Sequence, residues 1–259
     1  MDRLLAERDQ FQPVTTPELF ARLWLGSMPG LISGQSPDRN IFYSSYLSTY
    51  VERDVRELSG SVDALKFNRF VTAVAARCSQ LLNYKALADD ADIDMPTAKN
   101  WVNILETLGI IFLLHPYSNN VLKRTIKTPK VYFYDTGLVC YLTRWSSPEV
   151  AESGAMSGAL LENFTVSEIM KSYQNAGLEP YLYFYRDRDA KEIDVILEGD
   201  GKLCPLEIKK TATPDKRLTR VFSVMDRSPL QLGTGAVLCM AEQFSAFDRD
   251  NLIVPIWMI

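Results

Sequence analysis

Two carboxylates and a lysine stand inside otherwise apolar runs in residues 192–210, EIDVILEGDGKLCPLEIKK. Asp194 interrupts the first run; Glu207 and Lys209 interrupt the second. An unpaired charge among apolar side chains is costly, so the three groups are expected to find one another. Two carboxylates beside a lysine suit a hard divalent cation and a phosphate. Mg²⁺ takes carboxylate and water oxygens, and an ammonium group offsets charge on a pentavalent phosphate. Glu192 and Lys210 flank the set as electrostatic neighbours. The alternative is an edge hairpin whose charges are simply solvated.

The stretch reads as two strands joined at Gly199-Asp200-Gly201, residues that tolerate positive φ. Strict alternation puts Ile193, Val195 and Leu197 on one face of the first strand, with Glu192, Asp194 and Ile196 on the other. In the second strand Leu203, Pro205, Glu207 and Lys209 share a face, opposite Cys204, Leu206 and Ile208. Upstream, residues 154–173 read as a helix with Val166, Ile169, Met170 and Tyr173 on its core stripe. Glu162 lies on that stripe one turn earlier, where burial without a partner raises its pKa or lowers stability. An aromatic strand at 181–185 and the turn RDRDA follow. Beyond the hairpin come a helix after Pro214, striped by Leu218, Val221, Phe222 and Met225, and buried strands at 235–240 and 252–258.

The first two thirds of the chain are mostly helical. Thr16-Pro17-Glu18 is a helix start. Gly26, Pro29, Gly30, Gly34 and Pro37 then break regular structure. GLISGQS lacks the GxxxxGK[ST] order that cradles phosphates, so no P-loop is present. Phe42, Tyr46, Tyr50 and Val51 stripe a connecting helix over 39–58, on which Arg53 and Asp54 read as a solvated face. Residues 64–114 give helix, short helix, turn, longer helix and strand, the order of a winged helix. Asp94 is the expected cap of the third helix, with Pro96 in its first turn. Its outward positions Thr97, Lys99, Asn100 and Asn103 would face a DNA groove; a purely structural winged helix is the competing reading. Asp135, after a strand at 131–134, reads as a helix cap before it reads as a ligand.

With 47% hydrophobic and 23% charged residues, the composition is that of an ordinary globular protein. A net charge of -4 confines any polyanion contact to a local patch. One patch is Lys123, Arg124, Lys127 and Lys130; the other gathers Lys202, Lys209, Lys210, Lys216, Arg217 and Arg220. Four widely spaced cysteines and one histidine, His115, offer no zinc motif. No apolar run reaches transmembrane length and the first residues are too charged for a signal peptide, so no membrane partner is expected and the cytoplasm is the default location.

The order αβββαβ, with Asp194, then Glu207-Ile208-Lys209 as an ExK element and Glu162 as an additional acid, resembles the core of the PD-(D/E)XK, or restriction-endonuclease-like, nuclease superfamily. That resemblance implies that Asp194 and Glu207 hold Mg²⁺, that Lys209 acts on water or phosphate, and that Glu162 supports the metal. A wider resemblance spans nearly the whole chain. YLSTYVERDVREL, ETLGIIFLLHPYSNN, KRTIKTPKVYFYDTGL, YRDRDAKEIDVIL and LEIKK follow one another as in a family of prokaryotic AAA-type ATPases with a C-terminal domain of unknown function. It implies an ATPase domain, or an ATPase subunit in trans, as a partner.

The expected architecture is therefore mixed α/β, of the α+β kind, in three parts. Residues 1–60 form a helical linker resembling the lid or tail of an ATPase domain, 61–145 a winged-helix-like domain and connector, and 146–259 a nuclease-like domain. The expected activity is Mg²⁺-dependent phosphodiester hydrolysis on nucleic acid, DNA before RNA, with Lys99, Lys123, Arg124, Lys127 and Lys210 as nucleic-acid-binding residues. The alternative is a non-catalytic module that couples an ATPase to nucleic acid or to a protein.

Overall fold

The computed structural model describes residues 12–35, 38–59, 63–118 and 128–259. The chain is a mixed α+β protein that divides into two compact units, one comprising residues 20–113 and 130–156, the other 1–19, 114–129 and 157–259.

The first of these is built from α1 (Thr16–Leu25), α2 (Pro29–Ile32), α3 (Arg39–Ser45), α4 (Glu52–Ser59), α5 (Ala64–Ala75), α6 (Tyr84–Ala91) and α7 (Met95–Thr107). A two-stranded sheet of β1 (Ile111–Leu114) and β2 (Lys130–Phe133) and the helices α8 (Thr136–Leu142) and α9 (Pro148–Ser153) complete it. The expected single helix over 39–58 is interrupted: Tyr46–Val51 form a π-helical segment between α3 and α4. The caps form as the sequence suggests. Asp94 accepts the Thr97 N–H at 2.7 Å at the head of α7, and Asp135 accepts the Leu138 N–H at 2.6 Å at the head of α8. Phe67 and Phe70 of α5 meet Trp101 of α7 edge-on, with ring centroids 5.3 and 5.2 Å apart.

Asp135 does more than cap. Its carboxylate also accepts the Ser27 N–H (2.6 Å), the Ser27 hydroxyl (3.2 Å) and the Tyr43 hydroxyl (2.7 Å), so four donors fill a buried acceptor. Arg39, also buried, donates to the carbonyls of Trp24 (2.7 Å) and Gly137 (2.8 Å) and stacks over the Trp24 ring. The ligand alternative for Asp135 therefore has no free oxygen to use, and the cap is the hub joining α1, α3 and α8.

The other unit holds α10 (Ser157–Asn175) and a mixed sheet. Its strands are β3 (Leu182–Arg186), β4 (Glu192–Gly199), β5 (Lys202–Lys209), β6 (Gln231–Leu232), β7 (Gly235–Cys239), β8 (Ser245–Ala246) and β9 (Asn251–Pro255). The order across the sheet is β3-β4-β5-β7-β9-β8, with β6 beside β5. β3, β4 and β5 are antiparallel neighbours; β5, β7 and β9 run parallel. The segment after Pro214 is a 3₁₀ helix, Lys216–Arg227, rather than an α-helix. It lays Phe222 and Met225 on Ile193, Ile196 and Leu203 of the sheet, while α10 packs against β5. The helix expected over 154–173 starts three residues later: Gly154, extended, ends α9, and α10 begins at Ser157.

One sequence expectation is overturned at the site itself. Tyr183 pairs with Ile196 and Tyr185 with Ile193, so two steps on β3 span three on β4. The extra residue is a β-bulge at Asp194-Val195. It breaks the strict alternation and returns Ile193 and Ile196 to one core cluster. A period-two reading cannot see an insertion that only the neighbouring strand reveals.

Candidate functional site

The bulge bends β4 where Asp194 must leave the ladder to reach β5. The Oδ2 of Asp194 accepts the Ile208 N–H at 2.8 Å and the Lys209 ammonium at 3.0 Å. The same ammonium lies 2.8 Å from Oε2 of Glu207. Asp194 and Glu207 are 6% and 5% exposed, whereas the Lys209 side chain keeps 38% of its surface in solvent. The cluster is thus a buried carboxylate pair with one cation on its solvent side. Lys209 also closes the β5–β7 pairing opposite Cys239, which puts the cluster at the C-terminal end of the parallel strands, where open α/β sheets place ligands.

Two carboxylates sharing one ammonium leave a surplus negative charge out of water. Burial pushes the Glu207 carboxyl up to about 8, with the Asp194 charge adding to the rise and Lys209 opposing it. Burial acts to lower the Lys209 ammonium, but the two carboxylates outweigh it and hold it above its usual value. Glu207 Oε1 is buried and accepts no hydrogen bond. A buried oxygen without a partner is rare in folded proteins and calls for an explanation. The residues present therefore fit a hard cation: an acceptor oxygen on Glu207, a second carboxylate on Asp194, and a surplus charge to neutralise.

Glu162 is half-buried on α10, the helix against β5. Among the described residues, no group of three or more His, Cys, Asp or Glu side chains is arranged to hold a metal ion, so Glu162 does not complete a three-carboxylate set with Asp194 and Glu207. Glu192 lies 3.5 Å from Arg186 on the neighbouring strand, and Lys210 is exposed just beyond the cluster.

The expected phosphate contacts fare unevenly. Lys123, Arg124 and Lys127 lie outside the described residues. Lys130 is 4% exposed in β2, which removes it from any surface patch. Lys99 is exposed on α7, with its ammonium 5.6 Å from the centre of the Tyr84 ring. The surface leading into α7 carries Asp89, Asp90, Asp92 and Asp94, of which Asp90 pairs with Arg77 and Asp92 with Lys66, so acids outnumber unpaired cations there. In the second basic group, Lys216 pairs with Asp248 at 2.8 Å and Arg217 with Asp215 at 2.7 Å. Arg53 and Asp54 pair with each other at 2.9 Å, with the Arg53 side chain 57% exposed, as a solvated helix face should be.

A cleft of about 570 Å³ at the opposite end of β5 has no counterpart among the sequence expectations. Lys202, Thr219, Phe222, Asp226, Leu232 and Asn251 are among the residues that line it. These residues are spread over several elements and share no motif, so spacing alone could not have assembled them.

The chain is thus a two-part protein: a largely helical unit, and a mixed-sheet unit with a carboxylate–lysine cluster at the sheet end. Residues 16–149, more than half of the chain, match the profile of a domain of unknown function, DUF8612, and the chain belongs to that family. Residues 157–259 match a second domain of unknown function, DUF4143. Uncharacterized proteins of Mycobacterium bovis and of Mycobacterium tuberculosis are each 29% identical to it over 237 residues, which is 90% of this chain and 52% of each relative. The chain spans about half the length of the curated relatives it matches. No solved structure matches. Among the described residues no helix is long and apolar enough to cross a membrane.

Proposed function

We propose that the mixed-sheet unit is a metal-dependent nuclease module of the PD-(D/E)XK kind, acting on the phosphodiester backbone of nucleic acid, with DNA favoured over RNA. The observation that carries this reading is the Lys209 ammonium set between Asp194 and Glu207 while Glu207 Oε1 is buried without a partner. Asp194 and Glu207 would hold Mg²⁺, which commonly uses one or two carboxylates and keeps several waters. Bound there, the ion would supply Lewis acidity toward a phosphoryl oxygen. Ile208 fixes Asp194 from the backbone, so that carboxylate is oriented before any ligand arrives. Lys209, protonated between two carboxylates, serves as a donor and positive charge toward the phosphate rather than as a base. In this reading the helical unit is a winged helix with a structural role, because acids crowd the approach to α7. The AAA-type ATPase resemblance makes an ATPase domain or subunit its partner.

The test is cleavage of single- and double-stranded DNA and of RNA with and without Mg²⁺, by the unchanged chain and by Lys209→Ala and Asp194→Asn. Both substitutions are expected to lower the rate at least a hundredfold. Full activity in Lys209→Ala would overturn the assigned mechanism.

A second reading is favoured by the same ammonium. Lys209 already neutralises one carboxylate charge and occupies Oδ2 of Asp194. That arrangement suits a module that keeps the fold and binds without cutting. Nucleic-acid affinity without Mg²⁺-dependent cleavage, and unchanged in Asp194→Asn, would decide for it.

A further inference from the structure

The turn between β3 and β4 lies at the same end of the sheet as the carboxylate cluster. Glu192 pairs with Arg186 at the base of the turn, and Asp194 follows two residues later in β4. Lys191 is therefore about 10 Å of strand from Asp194, within reach of a neighbouring backbone phosphate through its own side chain. The turn is braced from within. Asp187 accepts the N–H groups of Asp189 (2.9 Å) and Lys191 (3.0 Å), and its own N–H donates to the Lys191 carbonyl at 3.1 Å. Ala190 is held at φ 59°, in the left-handed region that favours glycine.

This brace carries Arg188 and Lys191 outward. Both are exposed, and among the described residues neither side chain finds a carboxylate partner. Several other cations of the same unit are engaged: Lys171 with Glu168, Arg186 with Glu192, Lys216 with Asp248 and Arg217 with Asp215. Two unengaged cations on a pre-formed turn suit an anion with little ordering to be done on binding. Asp189 stands between them and opposes such an anion.

We infer that the β3–β4 turn is a second phosphate subsite, in which Arg188 and Lys191 hold the nucleic-acid backbone beside the phosphate placed at Asp194, Glu207 and Lys209. This rests on the nuclease-module reading and adds its substrate-positioning residues.

The experiment is binding of a fluorescein-labelled oligothymidine to the full chain, by anisotropy, over a series of KCl concentrations in Ca²⁺. Arg188→Ala/Lys191→Ala is expected to lose at least tenfold in affinity at low salt. Its log–log salt slope should shrink by about 1.4, two contacts at roughly 0.7 each. Arg188→Lys/Lys191→Arg should restore most of the affinity, and Asp189→Asn should tighten binding severalfold, which a merely structural role of the turn would not produce. Unchanged affinity and slope in the double alanine variant, with binding intact in the parent chain, overturns the turn assignment alone. A parent chain that does not bind overturns both this inference and the nucleic-acid reading.

Discussion

Glu207 concentrates the energetic conflict of the site. It is buried with a second carboxylate, one of its oxygens pairs with Lys209, and the other has no partner. Because its folded pKa, about 8, lies above the value for a free glutamate, the folded chain binds a proton there that the unfolded chain releases. Stability from this group is fully present below about pH 4.5 and is lost as pH rises through about 8. In the presence of a chelator, chemical denaturation is expected to show a loss on the order of 2 kcal/mol between about pH 5 and pH 8, discounted for screening at the half-exposed Lys209. Glu207→Gln should flatten that dependence. A rise in stability over the same interval, or the same slope in the glutamine variant, would contradict the assignment.

Among the elements, short polar side chains at helix starts decide where the chain turns, and one of them has been drawn into the core. Asp135 caps α8 and also receives Ser27 and Tyr43, which fastens the α1–α2 turn and α3 to the same point. The closeness of these elements depends on Gly137. A Cβ there would lie 2.5 Å from the Leu25 carbonyl and 2.6 Å from Gly26 Cα, both backbone atoms that cannot swing aside. Gly137→Ala is expected to cost about 3 kcal/mol by overpacking, and Asp135→Ala a similar amount by leaving buried donors unmet. Urea unfolding of each variant checks the values, and a double variant should cost less than the sum because both act on one junction.

Across the molecule, the compact unit and the family match do not share a boundary. The DUF4143 match begins at residue 157, yet its sheet is completed from outside that range. Tyr117 donates its N–H to the Phe184 carbonyl at 2.6 Å, and the Phe184 N–H donates to the His115 carbonyl at 3.1 Å, so residues 115–117 cover the β3 edge. The Tyr117 ring is buried against Tyr183, and its hydroxyl lies 2.9 Å from that of Ser228. An uncovered edge strand invites pairing with other chains. Tyr117→Ala in the full chain is expected to destabilise this unit by about 3 to 4 kcal/mol and to speed hydrogen exchange at the Phe184 amide. Unchanged protection at Phe184 would show that the edge does not depend on this segment.

Local chemistry is legible in the order of residues. The caps at Asp94 and Asp135, the turn at Gly199-Asp200-Gly201 and the order α10, β3, β4, β5 follow from short-range preferences that a sequence displays directly. So does the association of Asp194, Glu207 and Lys209, because charges inside apolar strands must be compensated wherever those strands fold. What depends on register stays hidden. The bulge at Asp194-Val195, the orphaned Oε1 of Glu207, the burial of Lys130, the four donors around Asp135 and the edge cover from Tyr117 all arise where distant segments meet. The composition of residues 192–210 dictates which groups need partners. That one ammonium serves both carboxylates and leaves one oxygen unmet is instead a product of three-dimensional packing, because it depends on how β4 bends against β5 and not on the residues of either strand alone.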